Sequence, residues 1–147
     1  MKKFALAALA LLAALPAAQA GCNFTNQTDN AIRAVVAAGG GWPVSDQKCA
    51  ILNAKNLVLV VDSHATVLDG ASVAWVDVML MDKNLNIRSD LYQVSTYVNT
   101  KQAGMDVAKN MQYDAIKDAV NGLDFDKAAR EIDGYRAKLA GKPAARR

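Results

Sequence analysis

The sequence predicts an α+β domain: two short N-terminal helices, a three-stranded antiparallel β-meander and two C-terminal amphipathic helices, held by one disulfide. Three observations predict it. Apolar residues recur at helical spacing from residue 29 to 55 and again from residue 100 to 139. Between these stretches the chain is rich in Val, Leu, Ile, Thr and Tyr, in segments interrupted by Asp69-Gly70 and by Asp82-Lys83-Asn84-Leu85-Asn86. Finally, the chain has two cysteines, Cys22 and Cys49, both placed where oxidation would join the N-terminal segment to the second helix.

Residues 1–20 read as an export signal. Lys2 and Lys3 provide a positive start, Phe4–Leu15 is an unbroken apolar run, and Pro16 precedes small residues at Ala18 and Ala20. The run is shorter than the ~20 residues a spanning helix needs, and its short, Ala-rich form is of a bacterial kind. Ala20-Gly21-Cys22 also resembles the end of a lipoprotein signal, but Gln19 stands where an aliphatic residue belongs, and lipidating Cys22 would leave Cys49 a lone exported thiol. The expectation is therefore a periplasmic or secreted protein cut after Ala20, with a Cys22–Cys49 bridge worth about 3 kcal/mol in the chain-entropy model. One domain follows over residues 21–141, and Lys142–Arg147 is a basic flexible tail.

In chain order, Thr28 is the expected N-cap of a helix over Asp29–Ala38, with Ile32, Val35 and Val36 as its apolar stripe. Gly39-Gly40-Gly41-Trp42-Pro43 ends it, and Ser45 caps a second helix over Asp46–Lys55 carrying Cys49 and Leu52. Strands are expected over Leu57–Leu68, Val73–Met81 and Ile87–Val98. The first alternates Leu57, Leu59, Val61, Ala65 and Val67 against Asp62, His64 and Thr66. In the second, Ala74, Val76, Val78 and Leu80 oppose Val73, Trp75, Asp77, Met79 and Met81, and this second set is more apolar than a wet face requires. Thr100 then caps a helix to Asn121, stopped by Gly122. Asp124 caps a last helix through Leu139, ended by Gly141 and Pro143.

Charge narrows the function. Of 17 Lys and Arg, Lys2 and Lys3 lie in the leader, so the exported part nearly balances its 14 Asp and Glu. Such a surface lacks the concentrated basic field of a nucleic-acid binder, and no second apolar run is long enough to span a membrane. Asn23-Phe24-Thr25 and Asn26-Gln27-Thr28 match the N-glycosylation pattern, which carries meaning only in a eukaryotic secretory pathway.

Catalytic signals are weak. His64 is the single histidine, with Asp62 on the same side of its strand and Ser63 pointing away, so a serine nucleophile would come from Ser72, Ser89 or Ser95. No Gly-x-Ser-x-Gly elbow and no phosphate loop is present. One His and two paired Cys cannot build a zinc site. Asp82–Gln93 lacks the Gly and Glu of a calcium loop and reads as a turn. No metal or cofactor is expected. Asp77 stands out as an Asp amid Trp75, Met79 and Met81, where desolvation would raise its pKa; the preferred expectation is a wet side chain at a sheet edge.

That strand face is the candidate binding surface: Trp75, Met79, Met81 and Asp77, with His64 and Asp62 from the first strand and Leu91 from the third. The competing expectation is that the helices cover both faces and these residues are core. Trp42, in its Gly-rich loop, is a second candidate anchor, or a lid over the disulfide. The reading favoured by these residues is an exported, non-enzymatic binding or accessory protein of the cell envelope, inhibitor-like or partner-binding, whose partner is another envelope or secreted protein. The alternatives are a small exported hydrolase using His64 with Asp62, and a structural envelope protein.

Overall fold

The structure is a computed structural model and describes residues 22–141; the export signal and the basic tail expected from the sequence lie outside these residues. The fold is α+β, with four helices, one sheet and one disulfide. Three long strands form the expected antiparallel meander: β2 (Leu57–Leu68), β3 (Ala71–Asp82) and β4 (Arg88–Asn99), preceded by a short strand β1 (Thr25–Gln27). β1 pairs in parallel with Val58–Val60 of β2, so the sheet is four-stranded and mixed, in the order β1-β2-β3-β4, rather than the three-stranded antiparallel sheet expected. Three polar residues carry no alternation that would mark a strand. Cys22, bonded to Cys49 with Cα atoms 5.9 Å apart, holds this segment close to α2 (Asp46–Ala54).

The β2–β3 hairpin closes on Asp69-Gly70, whose φ values of 46° and 74° are those of a two-residue primed turn. From there Leu68 pairs with Ala71 and every earlier residue of β2 pairs in register back to Leu57 and Asp82. This register puts Leu57, Leu59 and Val61 on one face with Val76, Val78 and Leu80. The same face receives Ile32 and Val36 of α1 (Asn30–Ala38), Leu52 of α2, Ala115, Ile116, Ala119 and Val120 of α3 (Met105–Gly122), and Phe125, Ala128 and Ile132 of α4 (Phe125–Ala140). All four helices therefore serve one side of the sheet.

Helix starts follow local hydrogen bonding. Asp29, not Thr28, caps α1, its carboxylate accepting from Ile32 N at 2.7 Å, and Ser45 caps α2 as expected. α3 begins at Met105 rather than after Thr100. Asn99 Oδ1 accepts from the Lys101 and Gln102 amides, and buried Ser72 both donates to the Gln102 and Gly104 carbonyls and accepts from Gly104 N, which holds residues 100–104 as a loop. Lys48 of α2 donates to the carbonyls of Val120, Asn121 and Leu123 at 2.5–3.2 Å, a cation where the C-terminal end of α3 is electronegative. α4 is tied to the sheet by Tyr135, which donates to Asp90. That bond pushes the phenol up to about 12.

Asp82 ends β3 at a buried corner. It accepts from the Asn84 and Leu85 amides at 2.7 and 2.6 Å and pairs with Arg136 of α4. Burial alone would raise its carboxyl, but the Leu85 amide, Arg136 and the Asn84 amide together outweigh it and hold the pKa below the ordinary value. The loop whose spacing invited comparison with a calcium site thus spends its first carboxylate on a turn and an ion pair.

Candidate functional site

On the sheet face away from the helices, register aligns residues in rows. Val60, Met79 and Tyr92 form one row; Asp62, Asp77 and Val94 the next; His64, Trp75 and Thr96 the third; Thr66, Val73 and Val98 the fourth. Among the described residues no helix packs on this end of the face. Trp75 is 37% exposed, Val94 48%, Tyr92 57% and Val98 59%, and Leu68 at the hairpin end is more exposed still. A β-sheet that alternates apolar and polar normally turns its polar set to water. Here the set turned outward is aromatic and β-branched, with one pair of carboxylates at its centre.

Asp62 and Asp77 sit directly opposite each other. Facing like charges on a sheet repel. Asp77 is half-buried, and its pKa is raised first by desolvation and then by Asp62, with Arg88 pulling partly the other way. β3 pairs on both sides at Asp77, with Asp62 and with Val94, so this residue is not at the sheet edge where the sequence preferentially places it. His64 packs on Trp75 with ring centroids 5.1 Å apart. The pair forms one continuous aromatic surface beside the carboxylates.

The other sequence candidates are distributed differently. Met79 is half-buried, and Met81 joins Val58 and Val60 in a small buried cluster at the far end of the same face, so Met81 is not an exposed anchor. Leu91 lies on the opposite face, packed against the main core. β4 is irregular there, since Met79 pairs with Tyr92 and Met81 with Arg88, so that residues 89–91 stand against Leu80 alone; the two extra residues shift the register by an even number and leave the alternation of faces unchanged, with Leu91 on the face of Ser89 and Gln93. Glu131 of α4 stabilises the extra residues by accepting from the Asp90 and Leu91 amides at 3.0 and 3.2 Å. Tyr92 takes the place that Leu91 was expected to hold. Tyr92, Val94 and Val98 were not singled out from sequence. Their alternation is visible there, but which set faces outward depends on the pairing with β3 and on the side the helices cover. Trp42 belongs elsewhere: it is half-buried, edge-on to Phe24 at 6.1 Å between ring centroids, and packed against the core.

The surroundings of His64 also bear on catalysis. Ser63 points inward and donates to Trp75 O at 2.9 Å, Ser72 is fully buried in the loop contacts given above, and Ser89 donates to Leu91 O at 2.7 Å. Ser95 pairs with Val76 and faces inward with it. None of these serines reaches the His64 ring. Asp62 stands exposed and Asp77 half-buried on the open face. The arrangement suits recognition of a surface: aromatic and branched side chains for contact area, and a carboxylate pair for one basic group. The chain matches no family model, none of the curated proteins and none of the solved structures with which it was compared.

Proposed function

We propose that the protein is an exported, non-enzymatic binding protein of the cell envelope, and that the outer sheet face is where it engages another protein. One observation carries the reading: Trp75, Tyr92, Val94 and Val98 form an exposed apolar surface on the sheet face away from the core that the four helices build with the other face. Large exposed patches of this kind mark interaction sites, and Trp and Tyr are the residues that most often anchor them. Asp62 and Asp77 at the centre give the patch polarity. A partner that brings a Lys or Arg there relieves the repulsion between the two carboxylates and compensates their desolvation on contact. The Cys22–Cys49 disulfide supports an oxidising compartment, which is where export would deliver the chain.

The test is affinity capture from an envelope extract of the source organism on immobilised oxidised protein, with Trp75→Asp, Tyr92→Asp and Leu139→Asp as comparators. Leu139 is an exposed apolar residue on α4. The expected result is one protein retained near stoichiometrically by wild type and Leu139→Asp and lost from both outer-face variants, each showing an unchanged circular dichroism spectrum. Retention by Trp75→Asp and Tyr92→Asp, or equal loss from all three, removes the outer face as the binding surface.

A further inference from the structure

We infer that the groove between α1, α3 and the free edge of β2 binds an extended peptide segment of another protein, which joins the sheet as an additional strand. This surface is distinct from the outer face and the inference does not rest on that reading. β1 pairs only with Val58–Val60, and from Val61 onward no strand lies beside β2 among the described residues. Along Ser63–Ala65 this edge opens into a groove of about 760 Å³, walled by Ala31, Ala34 and Val35 of α1 and by Lys109, Gln112 and Tyr113 of α3. The volume is that of a ligand cleft.

The identity of the occupant follows from which hydrogen-bonding groups remain available. Gln112 Nε2 donates to Ser63 Oγ at 2.9 Å, and Ser63 Oγ in turn donates to Trp75 O. Tyr113 OH donates to Gly41 O at 3.1 Å, and Asp29 is engaged in capping α1. The deep polar side chains are thus satisfied; the groove then offers the exposed Asp106, Lys109 and Asn110 of α3 and, along Ser63–Ala65, the row of outward N–H and C=O groups of β2. Only another extended backbone matches that row along its length. Proteins usually block such an edge with Pro, Lys or a bulge. Val61–Leu68 contains no Pro or Lys, and its pairing with β3 runs without irregularity.

Alternation along the incoming strand sets its chemistry. Side chains directed between the helices meet Ala31, Ala34 and Val35 and are therefore small and apolar. Those directed the other way run beside Asp62 and His64 and are polar or basic.

The experiment uses a displayed library of random linear heptapeptides, panned on the oxidised wild-type protein, with selected peptides resynthesised for titration and amide hydrogen exchange. The expected outcome is enrichment of peptides alternating small apolar with polar or basic residues, which slow exchange at alternate amides of Val61–Ala65. Ala34→Trp, at an exposed helix position that fills the groove, weakens them about tenfold or more, while Val98→Lys on the outer face leaves them unchanged. Failure to enrich any peptide, protection at β4 instead of β2, or undiminished binding by a folded Ala34→Trp overturns the inference. Concentration-dependent protection of the same amides without peptide assigns the edge to a second copy of this chain and overturns it as well.

Discussion

Trp75 and Val76 are neighbours in β3, and the difference between them is the difference between the two sheet faces. Val76 is wholly buried under the helices, whereas Trp75 is more than one-third exposed on the side they leave open. The inner face is an ordinary core, apolar along β2 and β3, where the buried Ser63, Ser72 and Gln112 are hydrogen-bonded. The outer face is also largely apolar, but it is open at the hairpin end and carries two facing aspartates. One face is arranged for stability, and the other accepts an energetic cost. Residues kept against stability tend to mark sites where function dominates.

The contrast is broken or upheld most forcefully by placing the same charge at both positions. Val76→Asp buries an unpaired carboxylate and is expected to cost about 4 kcal/mol or more, a large part of the stability of a typical domain of this size. Trp75→Asp is expected to cost about 1 kcal/mol or less, because the new charge reaches water. Urea denaturation followed by circular dichroism separates the two. Equal, large losses would show that Trp75 is core and that the faces do not differ as described.

Two aspartates of β3 extend the comparison to titration. Asp82 has a depressed pKa, so its ionised form stabilises the fold above the unfolded carboxyl value of about 3.9, and this contribution is lost as pH falls through the lower folded value. Asp82→Asn should cost about 2 kcal/mol at pH 7, less than a fully buried pair because Arg136 reaches solvent. The gap between variant and wild type should narrow in acid. A gap independent of pH would mean that Asp82 acts through the turn rather than through its charge.

A smaller effect is expected at Glu131, which bonds the Asp90 and Leu91 amides in the irregular part of β4. Glu131→Ala should cost about 1 kcal/mol and speed hydrogen exchange at Asp90 and Leu91 while leaving β2 unaffected. Unchanged exchange at those two amides would place the cause of the irregularity elsewhere.

Much of this organisation was legible in the chain. The three long strands, the two faces of β2 and β3, the Asp69-Gly70 turn, the disulfide and four helices follow from period, turn chemistry and cysteine count, because those signals are local. What was not legible depended on distant partners. β1 forms on three polar residues held close by the disulfide. The start of α3 is set by Ser72, 32 residues before Gly104 in the chain. The irregularity of β4 at residues 89–91 is bonded by Glu131, 40 residues away from Leu91, and no periodicity announces it. The candidate face was readable as a set of residues on β3, but not as an exposed surface. Exposure depended on which side of the sheet the helices chose, and amphipathic helices pack equally well on either.

The finest test of the two-face contrast is Asp77. Its carboxyl titrates above the ordinary value, with desolvation as the larger cause and Asp62 the next. A raised carboxyl pKa means that ionisation is harder in the folded protein than in the unfolded chain. The penalty is absent below the unfolded pKa, grows as pH rises from the unfolded to the folded value, and is fully present above it, opposite in sign to Asp82. Asp77→Asn removes the charge and keeps the shape, so it should stabilise the protein at pH 7 by about 0.5 kcal/mol, the scale of a cross-strand pair. The gain should vanish below about pH 3.5, where the wild-type carboxyl is itself neutral. Asp62→Asn should give part of the same gain, and the double variant less than the sum, because each substitution already ends the repulsion. If Asp77→Asn instead destabilises at neutral pH, the carboxylate is satisfied within the fold. The outer face would then hold no electrostatic deficit for a basic partner to relieve.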